Sequence, residues 1–561
     1  MINVIYKKID MRYVFFTSDN PVELENLEKY LNKIPQYMFL PSFAGVPKPT
    51  CFLNKFRAKD GRIIYWCHSG LWKCVYDWCA SNNIIIQGID NFFKYTDFNL
   101  SLDDFRQYII EWDLNLDPYD YQVDAAWLIL KYRQSLSELA TRAGKTLIAY
   151  IVFRYMLENG AKKILMIVPS IHLVKQGVKD FQEYKEFFQT ETVWSKGEMC
   201  SCANLTIGTY QSLVLRASKK SKKYNPKFFN DYDVVCVDES HHLVAKSLDT
   251  ILGLDFMKRL KLRFGFTGTL PKEHSIESFT CQSLMGPKIQ DITTRELVDQ
   301  GFLANPIVTQ IRLKYEDNED LIDQYIKCGE YLNSSYAEED GKKISLPKEE
   351  REFTIQHVKT LPMVLEKLKP TYTKLEYRDY LVDLCKAKGS NLLMLEQMLV
   401  HRSARRVQVM KNIIDKHLTG NCIIFAHHTE YLRYLKNTFK QIYPNRPIYI
   451  IIGTETIKKR MKIIDAMLTD KDAILFASYG CCSTGITFKN IDYGIFAQSF
   501  KSEIVVLQSI GRGLLKTETK DTFPIYDIID VFPTGKLLAQ GKSKISTYKE
   551  REFEYHIIDI T

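Results

Sequence analysis

Short apolar runs recur along most of this chain and alternate with helical stretches in two separate series. The first series follows residue 117, and its runs end in polar or glycine-containing turns: KILMIVPS, LTIGTY, DVVCVDES and LRFGFTGT. The second lies nearer the C-terminus: NCIIFAHH, PIYIIIGT, DAILFASYG, YGIFAQS and FPIYDIIDV. Buried strands that alternate with helices are typical of a parallel sheet with crossover helices. We therefore predict two tandem α/β domains with ligand sites at the carboxyl ends of their strands.

The 561 residues are too many for one hydrophobic core, because single cores stop growing at about 250–300 residues. We expect a small N-terminal α+β domain over residues 1–105, a first parallel-sheet domain over 106–300, a second over 301–535 with a charged helical insertion at about 315–400, and a peripheral tail over 536–561. In the N-terminal domain YMFLPSF and RIIYWC predict strands, LWKCVYDWCASNN predicts a helix, and Lys59-Asp60-Gly61 predicts a turn.

Composition argues against several classes of protein. No apolar run reaches the roughly 18–20 residues that a membrane-spanning helix needs. The N-terminus has charges within its apolar stretch and lacks a small-residue cleavage site, so no signal peptide is predicted. The net charge of +9 permits a polyanionic partner without requiring one. The 13 cysteines fit no common paired zinc spacing, which favours reduced, buried thiols in a cytosolic protein.

The sequence Gly144-Lys145-Thr146 is the core of a phosphate-binding loop. Backbone N–H groups beside the glycine close around phosphate oxygens, and the following helix presents its positive end. Lys145 is expected to hold the β- and γ-phosphates, and the Thr146 hydroxyl to coordinate Mg²⁺. The full pattern has a glycine where this chain has Leu139, and many such loops have another where it has Arg142. A positive φ at Arg142 would cost about 1–2 kcal/mol. The motif by itself leaves a working site and a chance match equally open.

A second motif lies in the same series. The apolar strand VVCV delivers Asp238 and Glu239 to its carboxyl end. In phosphate-loop hydrolases an Asp at this place holds Mg²⁺, and a neighbouring Glu polarises the attacking water. Two solvated acids at a strand end are the alternative interpretation, and the ordered motifs downstream argue against it.

With these motifs the chain resembles the superfamily 2 helicases, in particular the DEAH-like helicases of the phage UvsW type. Residues 238–241, Asp-Glu-Ser-His, are a variant of the DEAH signature. Further family motifs follow in order between residues 117 and 535: IVPSIHLVKQ, IGTYQSL, TGT, IIFAHHTEYL, ASYGCCSTGITFKN and QSIGRG. The glycine-poor phosphate loop and the sequences of the last two motifs are similar to those of the UvsW type. The segment DGRI at residues 60–63 extends the resemblance weakly into the N-terminal domain. In this family the loop varies before its final Gly-Lys-Thr, so we predict a working site.

The resemblance implies two tandem RecA-like motor domains and an ATP-dependent DNA helicase that requires ATP and Mg²⁺. Motifs and resemblance together give the following candidate residues. They are, for catalysis, Lys145, Asp238, Glu239, Gln508 and Arg512; for ATP, Tyr119, Gln122, Thr141, Arg142, Ala143, Gly144, Lys145, Thr146 and Gly485; for the metal, Thr146 and Asp238; for nucleic acid, Ser170, Thr209, Thr484 and Arg62; and for coupling between the two ligands, His241, Thr267 and Thr269.

The last motif departs from the family pattern. The family usually has a second arginine three positions after the one equivalent to Arg512, and this chain has Leu515 there, followed by Lys516. In the family both arginines reach the γ-phosphate, and an arginine finger contributes about 10³–10⁵-fold in rate. Either Arg512 acts alone, or Lys516 partly compensates as a point charge, or Leu515 simply packs and hydrolysis is slow.

Two basic segments are candidates for nucleic-acid contact. In the N-terminal domain aromatic residues alternate with lysines and arginines, Arg62 among them, as on a surface that stacks bases. An aromatic core with solvated basic turns is equally consistent with that pattern. The basic loop RASKKSKKYNPK, residues 216–227, either contacts the backbone of a duplex or is only solvated.

The UvsW resemblance implies remodelling of branched DNA, by fork regression and Holliday-junction migration, in recombination, repair and replication. It implies branched or forked DNA and phage recombination or replication proteins as partners, and the host bacterial cytoplasm as location if the chain is phage-encoded. Three alternatives stay open: an RNA helicase, the motor subunit of a restriction system, which would need a nuclease that the sequence does not show, and a weakly hydrolysing DNA-binding clamp.

Overall fold

The computed structural model describes residues 1–5, 12–33, 50–87, 98–195, 197–198, 200–314, 336–339, 342–345, 401, 403–482, 490–498, 502–517, 520–531 and 536–560. The chain divides into two compact units, residues 1–40 with 45–293 and residues 41–44 with 294–561. Among the described residues, no helix is long and apolar enough to cross a membrane.

The first unit begins with a small mixed sheet. Its strands are β1 (Ile2–Ile5), β2 (Tyr13–Ser18), β3 (Leu53–Arg57), β4 (Ile63–His68) and β5 (Ile86–Gln87), and its helices are α1 (Pro21–Leu31) and α2 (Trp72–Ser81). The strand order is β3-β4-β2-β1-β5, antiparallel except for the pair β1 and β5. The strand predicted from RIIYWC, the helix after it and the turn at Lys59-Asp60-Gly61 are confirmed. The predicted strand YMFLPSF lies outside the described residues.

A sheet of seven parallel strands forms the rest of the first unit. The strands are β6 (Gln134–Leu139), β7 (Ile164–Val168), β8 (Thr190–Val193), β9 (Leu205–Thr209), β10 (Val234–Val237), β11 (Leu262–Thr267) and β12 (Lys288–Ile292), in the order β12-β6-β11-β10-β7-β9-β8. The helices are α3 (Leu102–Ile110), α4 (Asp120–Lys131), α5 (Lys145–Glu158), α6 (Ile171–Tyr184), α7 (Tyr210–Ala217), α8 (Lys246–Leu252) and α9 (Ile276–Met285). Every residue of β7, β9, β10 and β11 is buried, as expected for a parallel sheet covered on both faces.

Strand β6 leads into the phosphate loop but has no apolar run. Its sequence QSLSEL is buried at every position. Gln134 Oε1 accepts hydrogen bonds from Ser69 Oγ at 2.9 Å and from the Arg263 guanidinium at 2.6 Å. Ser137 Oγ accepts from Gln290 Nε2 at 2.7 Å. Because a buried polar group costs little once it is hydrogen-bonded, these distant partners allow a polar strand to occupy the core.

The second unit is built around another seven-stranded parallel sheet. Its strands are β13 (Asn305–Lys314), β16 (Cys422–Ala426), β17 (Ile448–Ile451), β18 (Ile474–Ser478), β19 (Tyr493–Phe496), β20 (Thr522–Val531) and β21 (Glu554–Ile560), in the order β17-β18-β16-β19-β20-β13-β21. A separate hairpin of β14 (Tyr336–Glu339) and β15 (Lys342–Ser345) lies within the predicted insertion, whose remainder is outside the described residues. The helices are α10 (Thr294–Asp299), α11 (Ala404–Lys416), α12 (Thr429–Ile442), α13 (Ile457–Thr469), α14 (Tyr479–Cys482), α15 (Glu503–Gly511) and α16 (Lys536–Glu550).

The C-terminal segment is an integral part of this second sheet, and the expectation of a peripheral tail is wrong. Strand β21 pairs in parallel with β13 from Ile307 to Leu313. Lys544 of α16 forms a buried ion pair with Asp527 of β20, and Tyr548 Oη donates to the same carboxylate at 3.3 Å. The fold is therefore α/β, with two tandem RecA-like parallel-sheet domains and a small N-terminal α+β domain.

Candidate nucleotide and nucleic-acid site

The phosphate loop, residues 140–144, joins the carboxyl end of β6 to the start of α5. Arg142 has φ +73° and Gly144 has φ +77°, so both occupy the left-handed region of backbone conformation. Ala143 N–H donates to Ala140 O at 3.1 Å and closes the turn between them. The arginine therefore takes up a glycine-like conformation, at a cost of about 1–2 kcal/mol.

Two side chains of α4 brace the loop from behind. Gln122 is buried, and its Nε2 donates to Ala143 O at 3.1 Å while its Oε1 accepts from Tyr119 N–H at 3.0 Å. Tyr121 Oη donates to the same carbonyl at 3.1 Å, and burial raises the pKa of this tyrosine to about 12. A Cβ on Gly144 would lie 2.0 Å from Gln122 Nε2, so a side chain there would displace this amide from the loop. Tyr119 is 51% exposed and stacks on Tyr121, which leaves its ring accessible to a base.

Lys145 is the first residue of α5, and Thr146 is half-buried beside it in the first helical turn. The Cβ position of Gly268, after β11, is 3.5 Å from Lys145 Nζ and 3.4 Å from Thr141 Oγ1. The lysine ammonium thus lies between the phosphate loop and the Thr267-Gly268-Thr269 turn. Motif spacing alone did not predict the contact between Lys145 and this turn.

Asp238 and Glu239 follow β10 at the same edge of the sheet. Asp238 N–H donates to Ile167 O at 2.9 Å, which extends the pairing of β10 with β7 by one residue. Glu239 has φ +52°, and its N–H donates to Asp238 Oδ1 at 2.9 Å. The left-handed residue Glu239 ends the extended strand and begins the turn that leads to Ser240 and His241.

A partly buried chain of polar contacts leads from Glu239 to the end of β11. His241 Nδ1 is 3.4 Å from Glu239 Oε2 and 3.0 Å from Thr267 Oγ1. Thr267 Oγ1 donates its hydrogen to Thr269 O at 3.0 Å and accepts from Thr269 N–H at 3.2 Å. Because the hydroxyl hydrogen is already used, His241 Nδ1–H is the donor in the contact with Thr267. Burial lowers the pKa of His241 to about 4, against the opposing charge of Glu239. The imidazole is therefore neutral at neutral pH, and the three predicted coupling residues are in direct contact.

Comparisons with known proteins agree with this geometry. A family model described as Type III restriction enzyme, res subunit, matches residues 115–272, and one described as Helicase conserved C-terminal domain matches residues 405–514. The chain is 25% identical over 485 residues to the ATP-dependent DNA helicase uvsW of Enterobacteria phage T4, with 81% of each chain covered. The DNA 3'-5' helicase XPB of Mycobacterium tuberculosis is 27% identical over 200 residues, 36% of this chain and 35% of that protein.

The chain is similar to the UvsW-type superfamily 2 helicases over most of its length. A solved structure, the ATP-dependent Type ISP restriction-modification enzyme LlaBIII bound to DNA, is similar in fold, with a TM-score of 0.50 and 14% identity over 86% of this chain and 34% of that one. The helicase is an ATP-dependent enzyme, and both family matches fall on its two parallel-sheet domains.

Two hydroxyls of the helicase that were predicted to bind nucleic acid cap helices. Ser170 Oγ accepts from Leu173 N–H at 3.4 Å at the start of α6. Thr209 is 3% exposed, and its Oγ1 accepts from Ser212 N–H at 3.3 Å and donates to Ser212 Oγ at 3.0 Å. Both residues lie at carboxyl ends of strands, as predicted, but their hydroxyls are already engaged. Contact of these two side chains with nucleic acid stays a prediction.

The remaining candidates belong to the second unit or to the N-terminal sheet. Gln508 and Arg512 are both buried, on α15 and at its C-terminal cap. Leu515 forms an isolated β-bridge with Leu303, and Lys516 Nζ lies 3.2 Å from Asp521. This ion pair gives Lys516 a structural partner and makes compensation for the absent arginine less direct.

Arg62 lies in the exposed turn between β3 and β4, where its guanidinium forms an ion pair with Asp60 at 2.6 Å. Thr484 and Gly485 lie outside the described residues. Sequence reasoning missed Gln498, whose Oε1 accepts from the N–H groups of His427 and His428 at 2.8 and 3.1 Å. It thereby ties the carboxyl ends of β16 and β19 together. The position of Gln498, two residues after the buried strand β19, was the sequence signal that could have identified it.

Proposed function

We propose that this ATP-dependent DNA helicase remodels branched DNA, by regressing replication forks and migrating Holliday junctions, in recombination, repair and replication. The similarity to the phage T4 uvsW helicase over 81% of the chain supports it. The observation that carries the ATP-driven part of the proposal is the partly buried chain from Glu239 through His241 to Thr267, because it connects the acidic strand end to the turn that contacts Lys145. Such a connection lets the state of the bound nucleotide change the geometry of the turn after β11.

Residues on the first unit would bind the triphosphate and prepare its hydrolysis. Lys145 and the N-terminus of α5 hold the β- and γ-phosphates. Thr146 and Asp238 offer the hydroxyl and carboxylate oxygens that Mg²⁺ prefers, and a bound Mg²⁺ would neutralise charge on those phosphates. Tyr119 packs on the adenine.

Glu239 accepts a proton from the attacking water. This role requires the carboxylate to be unprotonated and unneutralised, and its neighbour His241 is neutral because burial lowers its pKa to about 4. His241 is therefore an uncharged neighbour that leaves the negative charge of Glu239 in place. We assign the arginine finger to Arg512 alone, since Leu515 has no charge and Lys516 is paired with Asp521.

One comparison of substrates tests the proposal. Wild type and Lys145→Ala are incubated with ATP and labelled Holliday junctions, forks, linear duplexes and the equivalent RNA duplexes. We expect wild type to convert junctions and forks several-fold faster than linear DNA or RNA, and Lys145→Ala to convert none. Equal rates on linear and branched DNA would remove the branch-specific part of the proposal. A preference for RNA duplexes would support an RNA helicase instead. Binding without ATP turnover would identify a clamp.

A further inference from the structure

A loop of unpaired lysines lies on the first unit, away from the residues discussed so far. We call residues 218–227 the lysine loop. Its five lysines, all exposed, are Lys219, Lys220, Lys222, Lys223 and Lys227. From residue 199 to residue 230 the chain has no Asp or Glu, although it has these five lysines and Arg216. Local sequence therefore supplies no carboxylate to neutralise them.

The surrounding structure supplies none either. Within the described part of the chain, none of the five lysines forms an ion pair. Exposed lysines elsewhere in the same unit do have carboxylate partners, as in Lys55–Glu28 at 2.8 Å and Lys179–Glu183 at 3.3 Å. The lysine loop is thus a concentrated patch of positive potential rather than an ordinary mixed surface.

The backbone of the loop holds these charges close together. Ser221 N–H donates to Ser218 O at 2.9 Å, and Tyr224 N–H donates to Ser221 O at 3.1 Å. Asn225 N–H donates to Arg216 O at 2.9 Å, which closes the loop at its base. Like charges fixed in consecutive turns repel one another, and a bound polyanion would relieve that repulsion. The loop therefore exposes five like charges on one short, hydrogen-bonded segment.

The lysine loop lies at the edge of the sheet opposite the nucleotide site. Helix α7 starts at the carboxyl end of β9, and its eight residues return about 12 Å toward the amino end before the loop begins. After the loop, Phe229 is buried and stacks on Phe256 with ring centroids 5.4 Å apart, directly before β10 starts. Asp238 and Glu239 lie at the other end of β10, so the loop is separated from them by the length of the strand.

The N-terminal sheet is attached to this same edge. Ser69 Oγ accepts from the buried Arg263 at 2.9 Å and donates to Gln134, and these two residues stand at the starts of β11 and β6. The Arg12 guanidinium donates to Gly253 O at 2.9 Å and lies 3.7 Å from Asp255, the residue before Phe256. The lysine loop and the N-terminal sheet consequently border one continuous region on the amino side of the first unit.

We propose that the lysine loop binds the phosphate backbone of a second duplex arm, apart from the strand that the motor moves. The inference rests on the proposed function, since a branched molecule offers several duplex arms to one enzyme. Lysine ammonium groups contact phosphate as point charges and read no sequence, as an arm of arbitrary sequence requires. Holding one arm at the amino edge while the carboxyl edge moves another strand would let the helicase act on the branch point.

The test is a fourfold variant of the loop, with Lys219, Lys220, Lys222 and Lys223 changed to Gln. The control changes four exposed lysines of the second unit, Lys416, Lys458, Lys462 and Lys471, to Gln and so removes the same net charge. Junction binding is measured over a range of salt concentrations. Each lost phosphate contact should reduce the magnitude of the slope of log K against log salt by about 0.9. The loop variant should therefore lose about 2–4 in slope and at least about tenfold in affinity for the junction. The control variant should lose less than about 1 in slope. Hydrolysis stimulated by single-stranded DNA should stay within about twofold of wild type.

Several outcomes would overturn the inference. A loop variant whose slope and affinity match the control shows that the loop does not bind duplex, whether it is solvated or serves an acidic protein. An equal fall in single-strand-stimulated hydrolysis shows that the loop belongs to the motor's own strand path. A pairwise variant, Lys222 and Lys223→Gln, repeats the measurement if the fourfold variant melts at lower temperature. Wild type that binds junctions but cannot remodel them contradicts the proposed function instead, and the salt slopes still report on the loop.

Discussion

Replacing Thr267 by valine removes the hydroxyl at the centre of the polar chain while keeping the shape of the side chain. Thr267 is fully buried, and its oxygen contacts His241 Nδ1 at 3.0 Å, Thr269 O at 3.0 Å and Thr269 N at 3.2 Å. In the valine variant both backbone groups of Thr269 lose their partner, whereas His241 keeps Glu239 at 3.4 Å. Since each buried polar group left without a partner costs about 1–3 kcal/mol, we expect a loss of about 2–4 kcal/mol in the free energy of unfolding.

Thr267→Ser is the matched control, because it keeps the hydroxyl and removes one methyl group, at a cost of about 1 kcal/mol. All six tryptophans lie between residues 66 and 194, so urea unfolding followed by tryptophan fluorescence reports on the first unit alone. The valine variant should also show a smaller stimulation of ATP hydrolysis by DNA than the serine variant. Equal unfolding free energies and equal stimulation in the two variants would refute the network.

Three further predictions follow from single contacts. Arg142→Gly should be more stable than Arg142→Ala by about 0.5–1 kcal/mol in urea unfolding, because only alanine is strained at φ +73°. Equal free energies of unfolding in the two variants would contradict a left-handed residue at this position. Burial, assisted by the charges of Arg263 and Arg12, lowers the pKa of His68 to about 4. The free energy of unfolding should therefore fall as the pH drops from 6.5 toward 4, by about 2 kcal/mol at pH 5. His68→Gln should lose that share of the pH dependence in the same assay. Lys544→Met should destabilise the second unit by about 3–5 kcal/mol in calorimetry because it leaves Asp527 buried without its cation, and Lys544→Met with Asp527→Leu should recover most of the loss.

The apolar strands of both sheets could be predicted because a strand covered on both faces must be apolar along its whole length. Strand β6 could not, since its burial depends on Ser69, Arg263 and Gln290, which are remote in sequence. Strand β21 was missed for the opposite reason. It is an edge strand with mostly exposed side chains, and backbone pairing with β13, rather than an apolar pattern, places it in the sheet.

The motifs predicted where the candidate site residues lie, but not the contacts that those residues make. The spacing placed Lys145, Asp238 and His241 at carboxyl ends of strands, where the structure has them. It could not show that Thr209 Oγ1 caps α7 or that Gln122 braces the phosphate loop, because a polar side chain chooses among several nearby partners. Such choices depend on the packed neighbours, which only the folded chain defines.

ATP turnover by wild type, Lys145→Ala and Arg512→Ala, with and without DNA, tests the central claim most directly. An ATP-driven helicase with Arg512 as its arginine finger predicts hydrolysis that DNA accelerates in wild type, none above background in Lys145→Ala, and a loss of about 10³-fold or more in Arg512→Ala. Turnover in Arg512→Ala equal to that of wild type, or hydrolysis in Lys145→Ala, would contradict the account.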